Sequence, residues 1–81
     1  MEVTYTVHIE PGQDHGFVAS FPALPGCHTQ GETLEEVITM AKDALTGYLE
    51  VLIEDGEPLP VERTQPKHVG FEVPLSASLA R

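Results

Sequence analysis

The 81-residue sequence has little positive charge. Four Lys and Arg residues stand against 13 Asp and Glu residues, which gives a formal net charge of -9. Proteins that bind DNA or RNA neutralise the phosphate backbone with Lys and Arg, so this composition argues against direct nucleic-acid binding. An acidic surface favours solubility or attraction to a basic partner. The composition therefore predicts no direct contact with nucleic acid, and it leaves a basic partner and plain solubility as the two explanations of the acidic surface.

Cysteine and long apolar runs are also scarce. Cys27 is the single cysteine, so an internal disulfide is excluded and a reducing compartment is the natural environment. No stretch is long enough to span a bilayer, and the first residues lack the basic and apolar regions of a signal peptide. We expect a soluble, cytoplasmic protein with one small core, a size at which oligomerisation often adds stability.

The longest regular pattern predicts one amphipathic helix within residues 33–56. Thr33 and Glu36 have the spacing of a capping box, and Gly56, with prolines after it, is a typical helix end. At about 100° per residue, one side of this helix is an apolar stripe that a sheet must cover. The stripe consists of Leu34, Val37, Ile38, Ala41, Leu45, Tyr48, Leu49 and Leu52.

Residues of alternating polarity predict strands on both sides of the helix. Residues 3–10 and 17–21 form a predicted hairpin, and residues 27–31 form a short third strand. Residues 68–73 form a fourth strand, which Pro74 is expected to end. This interpretation gives one domain over residues 3–73 and a short, frayed C-terminal tail over residues 74–81.

The element order βββαβ predicts an α+β fold, in which a small, mostly antiparallel sheet carries one long helix packed on one face. We expect the third and fourth strands to be parallel, with the helix as a right-handed crossover between them. If the fourth strand pairs beside the first, the strand order is 3-2-1-4. The other face of the sheet then meets solvent or a partner, and it carries Thr4, Thr6, His8 and Glu10.

Two parts of the sequence resemble the HicB-like antitoxin family. In the first, Phe21-Pro22-Ala23-Leu24-Pro25-Gly26-Cys27 precedes Gly31-Glu32-Thr33-Leu34-Glu35-Glu36. The second contains Ala41-Lys42-Asp43-Ala44, then Tyr48-Leu49 and Glu54-Asp55-Gly56-Glu57-Pro58-Leu59-Pro60. The resemblance covers residues 3–73, and the order of the two motifs in the first part is specific. It implies a partial, degenerate ribonuclease-H-like fold without catalytic activity.

The resemblance also implies a partner. Members of the family bind and neutralise a small basic RNA-cleaving toxin of the HicA type. Many members also carry a C-terminal helix-turn-helix or ribbon-helix-helix domain that binds operator DNA, and because these 81 residues include none, we expect no operator binding by this chain. The alternative hypothesis is an orphan HicB-like oligomeric scaffold with another protein partner and no toxin.

A metal-dependent nuclease is the weakest of the functional hypotheses. Such a site needs several carboxylates converging on Mg²⁺, whereas only Glu10 and Glu72 have strand positions that could approach each other. Cys27 and His28 are adjacent on a strand and point to opposite faces, and no His or Cys pair has metal-ligand spacing. We predict a buried Cys27, an exposed His28, no catalytic residue, no metal ligand, no cofactor and no enzymatic activity.

Four acidic residues are the candidate contacts for a basic partner: Asp14 in the hairpin turn, and Glu32, Glu35 and Glu36 at the helix start. Helix capping and solubility are their alternative roles, most of all for Glu36.

A second strip on the helix is the candidate contact between copies of the chain, for which we expect a homo-oligomer of two or more protomers. It consists of Met40, Ala44, Gly47 and Val51. Gly47 attracts notice because glycine costs about 1 kcal/mol relative to alanine inside a helix, and small residues allow close approach. The alternative is that the strip widens the core contact or is simply exposed.

Overall fold

A computed structural model describes residues 2–62 and 71–79 of the chain. The elements are β1 (Glu2–Pro11), β2 (Phe17–Ser20), β3 (His28–Gly31), α1 (Leu34–Glu54) and β4 (Phe71–Ser78). The strands form one antiparallel sheet in the order β3-β2-β1-β4. Helix α1 packs across one face of this sheet. The predicted α+β class, element order and strand order are confirmed.

The core lies between α1 and the sheet. Val37, Ala41, Leu45 and Leu49 have no exposed surface, so they form the buried centre of the predicted helix stripe. Leu34, at one end of that stripe, is exposed. From the sheet, alternate residues of β1 and β4 point toward the helix, as the period of two in a strand requires. The buried hydrophobic residues outside the helix are Tyr5, Val7, Ile9, Ala19, Phe21, Leu24, Cys27, Leu75, Ala77 and Leu79.

Helix α1 begins with the predicted capping box, with one difference in detail. The Glu36 backbone N–H donates to Thr33 Oγ1 at 3.0 Å. The Glu36 carboxylate accepts the backbone N–H of Glu32 at 2.7 Å, one residue before the expected Thr33 N–H. At the other end, Gly56 has a φ of +73°, as a glycine that ends a helix commonly does. Both predicted helix ends are therefore confirmed.

The segment between β2 and β3 folds back as two tight turns. Leu24 N–H donates to the Phe21 carbonyl at 2.9 Å, and Cys27 N–H donates to the Leu24 carbonyl at 3.0 Å. Gly26 follows Pro25 with a φ of +82°, the conformation that the third position of a type II turn requires. These turns bury Leu24 completely against the core.

The direction of β4 differs from the prediction. Strand β4 is antiparallel to β1, whereas β3 runs in the same direction as β1, so β3 and β4 are not parallel. The expected right-handed crossover between parallel strands is therefore wrong. The rule applies to a helix that returns the chain directly to a neighbouring parallel strand. Here residues 55–70 separate α1 from β4, which is enough chain to enter the sheet from its opposite end.

The end of β4 also differs from the prediction. The strand runs through Pro74 to Ser78, and Leu75 and Ala77 are buried, so Pro74 does not end it. The predicted start of this strand at residues 68–70 lies outside the described residues.

The hydrogen-bond pattern of the sheet explains why Pro74 is tolerated. Gly12 N–H donates to the Gly16 carbonyl at 2.9 Å and so continues the β1–β2 ladder. Because backbone groups alternate along a strand, even-numbered residues of β1 direct their N–H and C=O toward β2. Thr6 lies opposite Pro74 and therefore faces away from β4. The Pro74 nitrogen in turn faces the outer edge of the sheet, where a missing donor removes no ladder bond.

The face of the sheet opposite α1 is polar, but it is not uniformly open. Thr4 and Glu72 are exposed, and Thr4 Oγ1 lies 2.8 Å from Ser76 Oγ across the β1–β4 pair. His8 is only 6% exposed, although it lies on this face, opposite Ser20 on β2 and Glu72 on β4. The expectation that this whole face meets solvent or a partner is therefore wrong at His8.

Candidate partner-binding site

Two glycines bring the β1–β2 turn close to the start of α1. Gly16 has a φ of +72°, and a Cβ there would lie 2.5 Å from the Gly31 carbonyl oxygen. A Cβ on Gly31 would lie 2.7 Å from the backbone nitrogen of Val37. Since neither position has room for a side chain, the hairpin turn, the end of β3 and the first turn of α1 approach one another closely. The β2–β3 register, with Phe17 opposite Gly31, holds these three segments side by side.

A groove of about 490 Å³ lies between these three segments. Asp14 from the hairpin turn, Glu32 before the helix and Glu36 in its first turn all line the groove. We call it the acidic groove, and its remaining lining residues are Gly12, Gln13, His15, Phe17, Val18, Gln30 and Gly31. The structure thus brings together three of the four acidic residues that the sequence singles out.

The fourth acidic candidate, Glu35, is exposed in the first turn of α1 but does not line the acidic groove. Its position near the positive end of the helix dipole gives it a stabilising role of its own, worth about 0.3–1 kcal/mol. It can still add negative potential to the rim. The structure therefore separates Glu35 from the three residues that surround the groove.

Two carboxylates of the groove already have contacts within the chain. Glu36 Oε1 accepts the Glu32 backbone N–H, as described for the capping box. Glu32 Oε2 lies 3.2 Å from His15 Nε2, and both side chains are largely exposed. Asp14 is exposed as well. Each of these three carboxyl groups retains at least one oxygen that a partner can contact.

The groove has no Lys or Arg within the described part of the chain to balance these charges. Lys42 is the one Lys or Arg among residues 2–62 and 71–79, and it does not line the groove. All 13 acidic residues lie within the same ranges. Phe17 and Val18, which are partly buried, also line the groove and add apolar surface to it, although as neighbours on β2 their side chains point to opposite faces of the sheet. This arrangement suits a cationic side chain with an aliphatic stem, which packs its carbon chain while its charge meets a carboxylate.

The apolar residues that line the groove could not be identified from the sequence as part of a site. Phe17 and Val18 follow the alternation of a strand, and Gln13 and Gln30 carry no distinguishing motif. Their placement at one groove depends on the β1–β2 and β2–β3 registers, which pair residues distant in the chain. Gly16 and Gly31 are the signal that the sequence offers, because glycine permits a close approach of two backbone segments.

The strip predicted to join copies of the chain lies on the exposed flank of α1. Met40 is 43% exposed, Val51 is 55% exposed, and a Cβ on Gly47 would meet no described atom within 4 Å. Ala44 is partly buried, and its carbonyl accepts the Cys27 thiol at 3.8 Å. The strip is therefore accessible in the single chain at three of its four positions. Its role as an oligomer contact remains a prediction.

The residues considered for catalysis do not assemble into a site. Cys27 is buried and burial raises the pKa of its thiol, which disfavours the reactive thiolate. His28 is exposed, as predicted. Glu10 and Glu72 lie on neighbouring strands of the polar face, and His8 Nε2 is 3.9 Å from Glu10 Oε2. Within residues 2–62 and 71–79, no group of three or more His, Cys, Asp or Glu side chains could hold a metal ion.

No helix in the described part of the chain is both long and apolar enough to cross a membrane. One sheet, one covering helix and an acidic groove between loops define a small α+β domain.

Comparison with known proteins identifies the family. Residues 5–70 match the family described as HicB-like antitoxin of bacterial toxin–antitoxin systems. The antitoxin HicB 1 of Photorhabdus laumondii is 42% identical over 77 residues, which are 91% of this chain and 47% of that protein. The chain therefore belongs to the HicB-like antitoxin family, and it spans about half the length of this relative. A family of antitoxins agrees with the expectation that the chain is not an enzyme.

Two solved structures share the fold. The N-terminal domain of the Burkholderia pseudomallei antitoxin HicB superposes with a TM-score of 0.75 at 24% identity, covering 95% of this chain and 100% of that chain. A chain of the HicA3–HicB3 toxin–antitoxin complex has a TM-score of 0.61 at 22% identity, covering 98% of this chain and 100% of that chain. At this level of identity the likeness establishes the fold.

Proposed function

We propose that this chain is an antitoxin module that binds and neutralises a small basic RNA-cleaving toxin of the HicA type. The observation that carries the proposal is the convergence of Asp14, Glu32 and Glu36 on one groove that no described Lys or Arg lines. Membership in the HicB-like antitoxin family supports the antitoxin role, and a protein of the same fold occurs in the HicA3–HicB3 complex. A cytoplasmic location belongs to the same proposal, because that is where an RNA-cleaving toxin acts.

The physical basis of binding is charge complementarity. A toxin that cleaves RNA presents positive charge where the phosphate backbone lies. A carboxylate 4 Å from such a charge contributes about 1 kcal/mol in water and about 4 kcal/mol at the effective dielectric of a protein surface. Occupying the RNA site with protein carboxylates would also exclude the substrate. Binding and neutralisation would then be one event, with the groove residues as competitors of phosphate.

The apolar residues that line the groove would add contact area that charge alone does not provide. Phe17 and Val18 are partly buried and line the groove, where the aliphatic stem of an Arg or Lys can pack. Arg is the better match because its planar group binds carboxylates through two parallel hydrogen bonds. We therefore assign the groove to a basic side chain of the toxin.

The experiment compares two triple variants with the same change in charge. The groove variant carries Asp14→Asn and Glu32→Gln within the groove and Glu35→Gln beside it, and keeps Glu36 because its carboxylate caps the helix. The control variant carries Asp43→Asn, Glu50→Gln and Glu54→Gln on exposed positions of α1 away from the groove. Both are tested for association with the small basic protein encoded by the neighbouring reading frame, measured by surface plasmon resonance and by rescue of RNA from cleavage.

The groove variant should associate roughly tenfold more slowly and protect RNA less, whereas the control should change much less, because steering depends on where charges lie. Equal effects of the two variants would show that only net charge matters and would remove the groove from the proposal. Failure of the unmodified chain to bind the basic protein would contradict the toxin partner itself.

A second candidate function is an orphan HicB-like oligomeric scaffold that binds another protein and no toxin. The exposed apolar strip of Met40, Gly47 and Val51 favours it, since such positions suit a contact between copies. An oligomer that retains no basic protein when co-expressed with its neighbouring reading frame would support this function over the first.

A further inference from the structure

Strand β1 is longer than the strand beside it on one side. β2 pairs only with residues 8–11 of β1, whereas β4 pairs with residues 2–9. Within residues 2–62 and 71–79, residues 2–7 of β1 therefore have no strand neighbour on the β2 side. Thr4 and Thr6 direct their backbone groups to that side, because even-numbered residues of β1 face β2. An edge of this kind is able to accept another strand.

The connection after α1 covers this edge. We call residues 59–62 the strap. Leu59 packs against the core, and the Tyr5 hydroxyl donates to the Pro60 carbonyl at 2.6 Å. Thr6 donates twice to Glu62, through its backbone N–H at 2.5 Å and through its hydroxyl at 2.7 Å. The Glu62 carboxylate thus accepts the hydrogen bond from the Thr6 N–H that the carbonyl of an added strand would otherwise accept.

The covered segment has the composition of a strand that associates with itself. Residues 3–7 read Val-Thr-Tyr-Thr-Val, with no charge, no proline and no glycine, and each is β-branched or aromatic. Short segments with strong β preference and low charge are the ones that form strand-to-strand contacts between chains. Natural proteins protect such edges with charged residues and proline, which are the residue types that the strap brings there.

We propose that the strap protects the β1 edge from pairing with another strand and that Glu62 holds the strap in place. Opening the strap then lets a second copy of the chain pair with residues 2–7. A second copy is the fitting occupant because the uncharged segment, run antiparallel to itself, meets only Val, Thr and Tyr over residues 3–7. A strongly acidic chain repels its own copies, and an uncharged segment of this length lowers that repulsion where two copies approach.

The Tyr5 contact holds the strap from the core side. Burial, with the Glu62 carboxylate as the smaller cause, raises the pKa of Tyr5 above its usual value. The hydroxyl therefore stays protonated and able to donate to Pro60. Without the Glu62 carboxylate, the hydrogen bond from Tyr5 to Pro60 and the packing of Leu59 keep the strap in place.

The test uses Glu62→Ala against Glu57→Ala, which removes the same charge from an exposed position in the same connection. In Glu62→Ala, the Thr6 amide should exchange with solvent roughly tenfold faster or more, because its hydrogen bond is lost. The mass of the Glu62→Ala variant, measured by light scattering at protein concentrations on the order of 100 µM, should also exceed that of the parent chain and rise with concentration. Glu57→Ala should match the parent in both measurements.

A rescue variant locates the contact. Thr4→Lys adds a charge at an exposed position of the edge, and combined with Glu62→Ala it should return the mass to that of the parent. Glu62→Gln replaces the alanine variant if the latter does not fold, with a smaller effect expected because its amide oxygen can still accept. Unchanged Thr6 exchange and mass would overturn the proposal, as would an increase in mass that Thr4→Lys does not reverse.

Discussion

The two sides of helix α1 differ in composition and in what surrounds them. Val37, Ala41, Leu45 and Leu49 form a side with no exposed surface, whereas the opposite side carries acidic residues and the apolar strip. The buried side meets the sheet of its own chain, so its residues are determined by the fold. The exposed side contributes little to that fold, which leaves its charges and apolar atoms available to partners. The difference separates what holds the chain together from what it offers for binding.

The largest expected effect comes from the buried side. Leu45→Ala should lower the free energy of unfolding by about 3 kcal/mol, within the range of about 2–5 kcal/mol for buried Leu, because it leaves a cavity between α1 and the sheet. Met40→Ala is the matched exposed change on the same helix and should cost less than about 0.5 kcal/mol. Urea unfolding followed by circular dichroism measures both. Similar losses for the two variants would mean that Met40 is covered, and the comparison of the two sides would fail.

The helix start should show an intermediate effect. Thr33→Ala removes the oxygen that accepts the Glu36 N–H, and should cost about 1 kcal/mol. Thr39→Ala is the control, because its hydroxyl donates back to the Glu35 carbonyl within the helix and does not cap it. The same urea experiment applies. An equal loss for Thr39→Ala would show that the box does not determine where α1 begins.

The smallest effect on stability should come from the exposed strip, together with a change of mass. Gly47→Leu should leave the free energy of unfolding of a single chain unchanged or raise it by up to about 0.8 kcal/mol, since leucine is the better helix former and the position is open. If the strip joins copies, the same variant should reduce the mass measured by light scattering. Gly47→Ala, which adds one carbon, should reduce it less. A parent chain that is already monomeric would contradict the predicted oligomer.

The periodic parts of the chain could be predicted because their signals are local. The stripe of α1 repeats every three to four residues, and Thr33, Glu36 and Gly56 mark its ends within the same segment. Strand order followed from the hairpin and from the pairing assumed for the fourth strand. Each of these features depends on residues close in sequence or on rules of connection that hold for most sheets.

The features that were wrong depend on neighbours far along the chain. Pro74 ends a strand only if its nitrogen faces another strand, and here it faces the outer edge. The direction of β4 depends on a connection whose course no periodic pattern specifies. His8 follows the polar alternation of β1, yet it is buried on the polar face of the sheet, where it lies between Ser20 of β2 and Glu72 of β4.

The candidate site was predictable as a set of residues but not as a place. Asp14 and Glu32 are separated in the sequence, and only the Phe17–Gly31 register brings them to one groove. Charge gives no periodic signal for such convergence, since acidic residues are solvated across the whole surface. Glu35 shows the converse, because it is adjacent to Glu36 in the chain and still lies outside the groove.

The most direct measurement of the central claim is the salt dependence of association between this chain and the small basic protein proposed as its toxin partner. Raising the salt from about 0.05 M to about 0.5 M shortens the Debye length to a few ångströms, so the association rate of the unmodified chain should fall roughly tenfold or more. The groove variant should show a clearly shallower dependence, and the variant at Asp43, Glu50 and Glu54 should keep most of it. An association rate that does not change with salt, or equal salt dependence in all three proteins, would contradict recognition through the acidic groove.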